Sequence, residues 1–379
     1  MTEFEVRTII IDNGSGTVRA GFAGQEGPSC VFKNMVGVAK YPVVISGGAH
    51  KDYYVSDEAF AKAGVLNLSH PVRHGIVKNW DHLELIVQHS LLNALKADPA
   101  EHPAFFVDAI DGVSYCREQR EKIAQIMFEK FNTPSLYFQA SDTLTLLSAG
   151  RTSGIVLDSG EGITSITAIF DDYKIPQSFQ HNKIGGYTLT SYLMKKLNKD
   201  QILFHQPSER LIANEIKESM TYVAADYEAE LQRSRTTDEV KRDFACPDGR
   251  VLKLNELRFK VPEFMFKPKI WGCEMKGVHQ LIFDSIMKAD VHCRRTLFEN
   301  ICIAGGNTMF EGFKERLQSE IQKLAPASIN VKVYAPENRH NAAWIGASNL
   351  SALAQFPKMV ITKSEYTEDG PQAITRKCP

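Results

Sequence analysis

The stretch Thr8–Arg19, TIIIDNGSGTVR, decides how the chain is read. Three isoleucines, Ile9, Ile10 and Ile11, run into Asp12 and then Asn13-Gly14-Ser15-Gly16. An apolar run closed by turn residues predicts a buried strand, a tight turn, and a second strand from Thr17. Gly14 and Gly16 allow the backbone to approach another molecule, because no Cβ intervenes. The N–H groups of such a turn can cradle an anion, and the carboxylate before it can hold a hydrated divalent cation. An ordinary β-hairpin accounts for the same residues, and this stretch alone does not separate the two readings.

A second stretch repeats the first. Gly154–Thr164 reads GIVLDSGEGIT, in which an apolar run ends in Asp158 and Ser159-Gly160-Glu161-Gly162 follows. A strand–Asp–x–Gly–x–Gly–strand unit in both halves of a chain suggests duplication. Two such hairpins facing each other would clamp a polyphosphate from both sides, which favours nucleotide binding. Ile301–Phe310, ICIAGGNTMF, brings a third strand into a glycine pair, Gly305-Gly306. A helix with Phe313, Leu317, Ile321 and Leu324 inward is expected after it, and a strand–glycine–helix junction suits a nucleotide.

The bulk properties bound the class. At 379 residues the chain is long enough for two or more domains. An apolar content of 43% and a charged content of 23% are those of a soluble globular protein. A net charge of −1 gives no basis for nucleic-acid or anionic-membrane binding. No apolar run reaches transmembrane length. The opening MTEFEVRT has neither the basic head nor the apolar block of a secretory leader. The seven cysteines are scattered without a CxxC pair, the pattern of free thiols in a reducing cytosolic or nuclear compartment. GxxxxGK[ST], an early GxGxxG, HExxH and GxSxG are all missing from the sequence.

Elsewhere the periodicity predicts a helix over 80–96, with Leu83, Ile86, Val87, Leu91 and Leu95 on one face and Asn79 or Asp81 as its cap. Another is expected over 117–131, with Ile123, Ile126, Met127 and Phe131 inward, stopped by Asn132-Thr133-Pro134. Ser141–Gly150 and the amphipathic Glu209–Ala224 also read as helices. Strands and helices alternating in both halves argue for an α/β class. Spacing alone makes Lys217-Glu218 a solvated helical face. Tyr41–His50 carries apolar Val43, Val44 and Ile45 beside a glycine pair, and Lys267–Gly277 sets Ile270-Trp271 among lysines and glycines. Each is either a covered segment or a partner contact.

DNGSG at 12–16, HGIVKNWD at 74–81, FNTPSLY at 131–137, DSGEG at 158–162, AGGNTM at 304–309 and RKC at 376–378 together resemble the actin and actin-related family, nearly end to end. The resemblance implies two duplicated RNase H-like α/β domains around a nucleotide cleft, of the actin, Hsp70 and sugar-kinase type, each with a smaller inserted subdomain. One outer domain would comprise 1–33, 71–148 and 342–379, with a small subdomain at 34–70. The other would comprise 149–184 and 274–341, with a small subdomain at 185–273.

Carried over by resemblance, Gly14, Ser15 and Gly16 would bind the terminal phosphates of ATP or ADP, and Gly160, Glu161 and Gly162 would do so from the other side. Asp12 and Asp158 would hold Mg²⁺ or Ca²⁺ through water. Lys217 and Glu218 would lie near ribose and base, against the solvated reading above. Gly305, Gly306 and Phe310 would line the adenine pocket, with Asn214 and His340 at its rim. Arg19 stands where the family has a phosphate-reaching lysine, and its planar fork differs from a point charge. Ser141 and Ser165 stand where the family positions the attacking water with glutamine and histidine. Gln139, if helical, would point about 200° away from Ser141. Positioning is a large part of phosphoryl transfer, so slow or absent hydrolysis is expected, a weak ATPase at most.

The resemblance also implies contacts. Val43, Val44, Ile45, Ile270 and Trp271 would meet other actin-family protomers. Leu147, Leu350, Leu353 and Met359 would line a groove for binding proteins, with Asn349 and Pro357 altering its rim. The acidic cluster near the N-terminus is thin, with Glu3, Glu5 and Glu26. The expected role is a cytoskeletal protein of the cytoplasm that assembles into or caps a filament. The alternative is a monomeric subunit of a larger assembly of the dynactin, ciliary dynein or chromatin-remodelling kind, in cilium or nucleus. A sugar or acetate kinase of the same superfamily is the third reading, and no residue is placed as base for a second substrate.

Overall fold

A computed structural model describes residues 7–40, 51–108, 114–199, 207–246 and 249–378. The chain divides into two compact units, 1–152 with 341–379, and 153–340.

In the first unit, strands β1 (Ile9–Asn13), β2 (Thr17–Phe22), β3 (Cys30–Lys33), β4 (Ala104–Asp108) and β5 (Ser135–Ala140) form one sheet in the order β3-β2-β1-β4-β5. β1, β2 and β3 are antiparallel neighbours, whereas β4 and β5 run parallel to β1. The short strand Ile361–Thr362 closes the β5 edge. Ile9, Ile10 and Ile11 are all buried, because a strand flanked on both sides and covered on both faces takes a continuous apolar run. The helix Ala342–Ser351 packs on Ser141–Ser148. Gly346 permits that approach, since a Cβ there would lie 1.9 Å from the Leu144 carbonyl oxygen. From the same helix, fully buried Trp344 donates its indole N–H to the Ile10 carbonyl at 3.3 Å. A smaller three-stranded sheet joins Tyr54–Val55, Val36–Ala39 and Leu66–Ser69.

In the second unit, β6 (Gly154–Ser159), β7 (Thr164–Phe170), β8 (Tyr173–Lys174), β9 (Ile301–Ala304) and β10 (Val333–Tyr334) take the order β8-β7-β6-β9-β10. Again three antiparallel strands are followed by two parallel ones. The helices Gly186–Lys199, Pro207–Met220, Leu257–Phe266, Val278–Lys288 and Phe313–Leu324 supply much of its core.

Several expected elements take a different form. The 80–96 helix is α-helical over Trp80–Gln88, capped by Asn79 Oδ1 accepting from the His82 N–H, and then widens into a π-helical turn, His89–Ala94. The 117–131 helix likewise runs Ser114–Gln125 and ends in a π turn, Ile126–Lys130, before Asn132 turns left-handed. Gln139 lies on β5 rather than on a helix, so the helical angle to Ser141 does not apply. The Gly305-Gly306 pair leads into a short 3-10 turn, Gly306–Met309, and the helix begins only at Phe313, with Leu324 exposed instead of inward. Among the described residues no helix is long and apolar enough to cross a membrane.

Candidate functional site

In the first unit the candidate residues gather at the β1–β2 hairpin. In the β1–β2 ladder Asp12 stands opposite Arg19. Arg19 Nη1 meets Asp12 Oδ2 at 3.1 Å, and Arg19 Nε donates to Asn341 Oδ1 at 2.8 Å. Burial raises the Asp12 carboxyl above the ordinary carboxylate range, with Arg19 pulling the other way. Asn34 Nδ2 donates to the Gly14 carbonyl at 2.8 Å and to Asn13 Oδ1 at 2.9 Å, which fixes the turn from outside. Ser15 Oγ accepts from the Gly75 N–H at 3.1 Å.

In the second unit the candidate residues gather around the turn between β6 and β7. Asp158 stands opposite Ser165 in the β6–β7 ladder. Asn307 Nδ2 donates to the Gly160 carbonyl at 2.7 Å and to Ser159 Oγ at 3.1 Å. Gly305 adopts φ 89°, and a Cβ there would sit 2.3 Å from the Ser159 carbonyl oxygen and 2.7 Å from Asp158 Oδ1. Gly186 closes the other side, where a Cβ would meet Glu161 Oε2 at 2.2 Å and Lys217 Nζ at 3.0 Å. The helix Pro207–Met220 brings in Lys217, whose ammonium lies 3.7 Å from Glu161 and 2.7 Å from Asn214 Oδ1. Asn214 Nδ2 in turn donates to Glu218 Oε1 at 2.7 Å. Burial raises the Glu161 carboxyl against the pull of Lys217 and Arg210. Burial also lowers the Lys217 ammonium, opposed by Glu161 and Glu218. Lys217 is thus a buried cation in a polar network, not a solvated surface residue.

A family model described as Actin matches residues 3–379. The chain belongs to the actin family. Actin-family proteins bind ATP or ADP with a divalent cation. Among the described residues no three or more His, Cys, Asp or Glu side chains converge as a metal cage. A Mg²⁺ site needs only one or two carboxylates, because the ion keeps several waters and takes phosphate oxygens. Asp12 and Asp158, each one residue ahead of its glycine turn, are carboxylates of that kind, and Asp12 is paired with the Arg19 guanidinium.

The remaining positions assigned by likeness to the actins divide between exposed and buried. Ser141 opens the helix Ser141–Ser148 and Ser165 sits on β7, both buried. Gly306 is exposed, but Phe310 is buried in the core cluster of its unit, and His340 is half-buried in the turn Arg339–Asn341. Ile270 is 44% exposed. Trp271 packs at 4.7 Å on Tyr192, with the Lys196 ammonium 4.8 Å from its ring. Leu353 is exposed, while Leu147, Leu350 and Met359 are half-buried. Val43, Val44 and Ile45 lie outside the described residues, as do Glu3 and Glu5. Asn34 and Asn307 were not singled out from the sequence. Asn307 directly follows the Gly305-Gly306 pair, and that adjacency was the available signal. Asn34 had none.

Proposed function

We propose that this protein binds ATP or ADP with a divalent cation and works as a slowly hydrolysing or non-hydrolysing member of the actin family. The turns at 13–16 and 159–162 are read as phosphate grips. Lys217 and Glu218 are read as the ribose and base side, with Gly305, Gly306 and Phe310 beside the adenine and His340 at its rim. The observation that carries this is the network around Glu161, Lys217 and Gly305. Side chains from two separate elements, Lys217 and Asn307, converge on one glycine turn, and Gly186 and Gly305 leave room for it. A buried ammonium beside a glycine turn supports the binding of a polyanion.

The shared strand order of the two sheets supports a duplicated pair of domains. Slow hydrolysis is inferred from Ser141 and Ser165. A short hydroxyl cannot both hold and orient a water at the reach of a glutamine or an imidazole. Calorimetric titration with Mg-ATP, followed by single-turnover phosphate release, tests both points. Saturable binding with phosphate release far slower than that of a conventional actin is expected. Failure to bind overturns the ATP reading, and rapid release overturns the second point.

Assembly with itself or with other actin-family protomers is the accompanying proposal. The exposed Ile270 supports it. The alternative, a monomeric subunit of a larger assembly, draws support from Trp271, which is turned onto Tyr192 and Lys196. Sedimentation of the protein with Mg-ATP across a concentration series separates them, since only self-assembly gives a pellet above a threshold concentration.

A further inference from the structure

The segment 267–277 leaves the helix Leu257–Phe266 and returns at the helix Val278–Lys288, and its two ends meet at a narrow neck. Gly277 presses on Phe266 there, since a Cβ would lie 2.0 Å from the Phe266 carbonyl oxygen and 2.9 Å from His279 Cε1. The His279 ring lies nearly parallel to that of Phe266, with 6.1 Å between centroids, and so backs both sides of the neck. Further along the segment Trp271 is folded onto Tyr192. Its indole N–H is buried without a hydrogen-bond partner among the described residues, as is the Tyr192 hydroxyl. Two buried donors left unpaired weaken the hold on the folded-down segment.

His279 Nδ1 is buried and unpartnered in the same way. An uncharged ring can leave that nitrogen bare, whereas an imidazolium carries an N–H on both nitrogens and must bury one with nothing to receive it. The surrounding charges add to this penalty. Lys267 caps the helix at the neck, and Arg316, Glu320 and Lys323 act on the ring from the helix Phe313–Leu324. The one carboxylate among them is already engaged by Arg316 at 2.8 Å and Lys323 at 3.3 Å. Burial lowers the imidazole below its ordinary value of 6.5, with Glu320 opposing and Arg316, Lys323 and Lys267 adding to the drop.

We infer that His279 is a proton-operated latch on the 267–277 segment: uncharged, its ring keeps the neck closed and Trp271 stowed, and charged, it lets the segment swing away and bares the indole. A ring that is harder to charge in the closed form makes that form lose stability as pH falls below 6.5. No nucleotide takes part, so the latch stands apart from the ATP reading.

The test is acrylamide quenching of tryptophan emission from about pH 8 to about pH 5, in a Trp80→Phe background. Trp344 is fully buried, so the accessible emission is that of Trp271. Quenching should rise as pH falls, with a midpoint below 6.5, while the far-ultraviolet circular dichroism holds steady. His279→Gln stays uncharged at every pH and should give a flat profile. Lys323→Gln, at a side chain with 65% of its surface exposed, removes one cation and loosens Glu320. It should raise the midpoint by about 0.3 pH unit. A histidine that only packs would leave the midpoint unmoved in Lys323→Gln, and that result overturns the inference. So does a flat wild-type profile, a rise that persists in His279→Gln, or a rise that comes only with loss of the helical signal.

Discussion

At the first hairpin Asp12 faces Arg19 across the ladder, and at the second Asp158 faces Ser165. The strands, the register and the glycine positions repeat, and each turn is held by an asparagine donating to the carbonyl of its first glycine. What differs is where the charge comes from. In the first unit the cation is cross-strand, seven residues along and already paired. In the second it arrives from a distant helix as Lys217, which reaches the turn because Gly186 carries no Cβ to stand in its way. One topology therefore permits two ways of presenting positive charge at a glycine turn, one local and fork-shaped, the other remote and buried.

The sharpest way to break this comparison is steric. Gly305→Ala puts a methyl group 2.3 Å from a backbone oxygen at a left-handed φ, and it should cost about 3 kcal/mol or more, read as a urea midpoint shift. Gly14→Ala meets the Thr17 carbonyl oxygen at 2.9 Å without a left-handed φ, and about 1 kcal/mol is expected. Equal losses would remove the distinction. Next is Lys217→Ala, which strands Glu161 beside the second turn. About 2 kcal/mol is expected from chemical denaturation, at the low end for a broken pair because Glu161 keeps 31% of its side-chain surface in solvent.

Smaller still is the contrast between the two asparagines. Asn307→Ala removes two bonds to the second turn and should cost about 1 kcal/mol in a thermal melt. Asn34→Ala should cost less, because Asn34 Oδ1 is buried with no hydrogen-bond partner among the described residues, and alanine relieves that burden.

The smallest effect is one of pH. A carboxyl raised by burial binds its proton more tightly folded than unfolded. The stability drawn from Glu161 is therefore fully present below its ordinary value of 4.5 and lost as pH climbs through the raised value. Urea midpoints taken upward from pH 4.5 should fall less steeply in Glu161→Gln than in the wild type. An unchanged slope would mean that Lys217 fully offsets the burial of its partner.

How far the sequence discloses this depends on the range of the interaction. The buried strand Ile9–Asn13, its hairpin partner and the Asn79 cap follow from neighbours within a few residues, where periodicity and turn chemistry act. The π-helical ends of two helices escaped, because nothing in a 3.6-residue pattern marks where a turn widens. A helical direction for Gln139 follows from the sequence because no glycine or proline marks the junction between β5 and the helix after it. Within the candidate site, the aspartates and glycines stand out as local motifs. The Asn34 and Asn341 contacts depend on tertiary placement and leave no local trace. Lys217 shows the same limit in reverse, since helical spacing put it in solvent and packing buried it.

Trp344 hangs by its indole N–H from the carbonyl of Ile10, two residues before the first aspartate. The side chain is sealed from solvent, and the backbone at Gly21 on β2 lies directly against its ring. This makes the indole a built-in optical gauge of the β1–β2 ribbon. Any ligand that shifts the ribbon by a fraction of an ångström alters the polarity around that chromophore, so its emission maximum, read with Trp80 and Trp271 replaced by phenylalanine, follows the ribbon without a label.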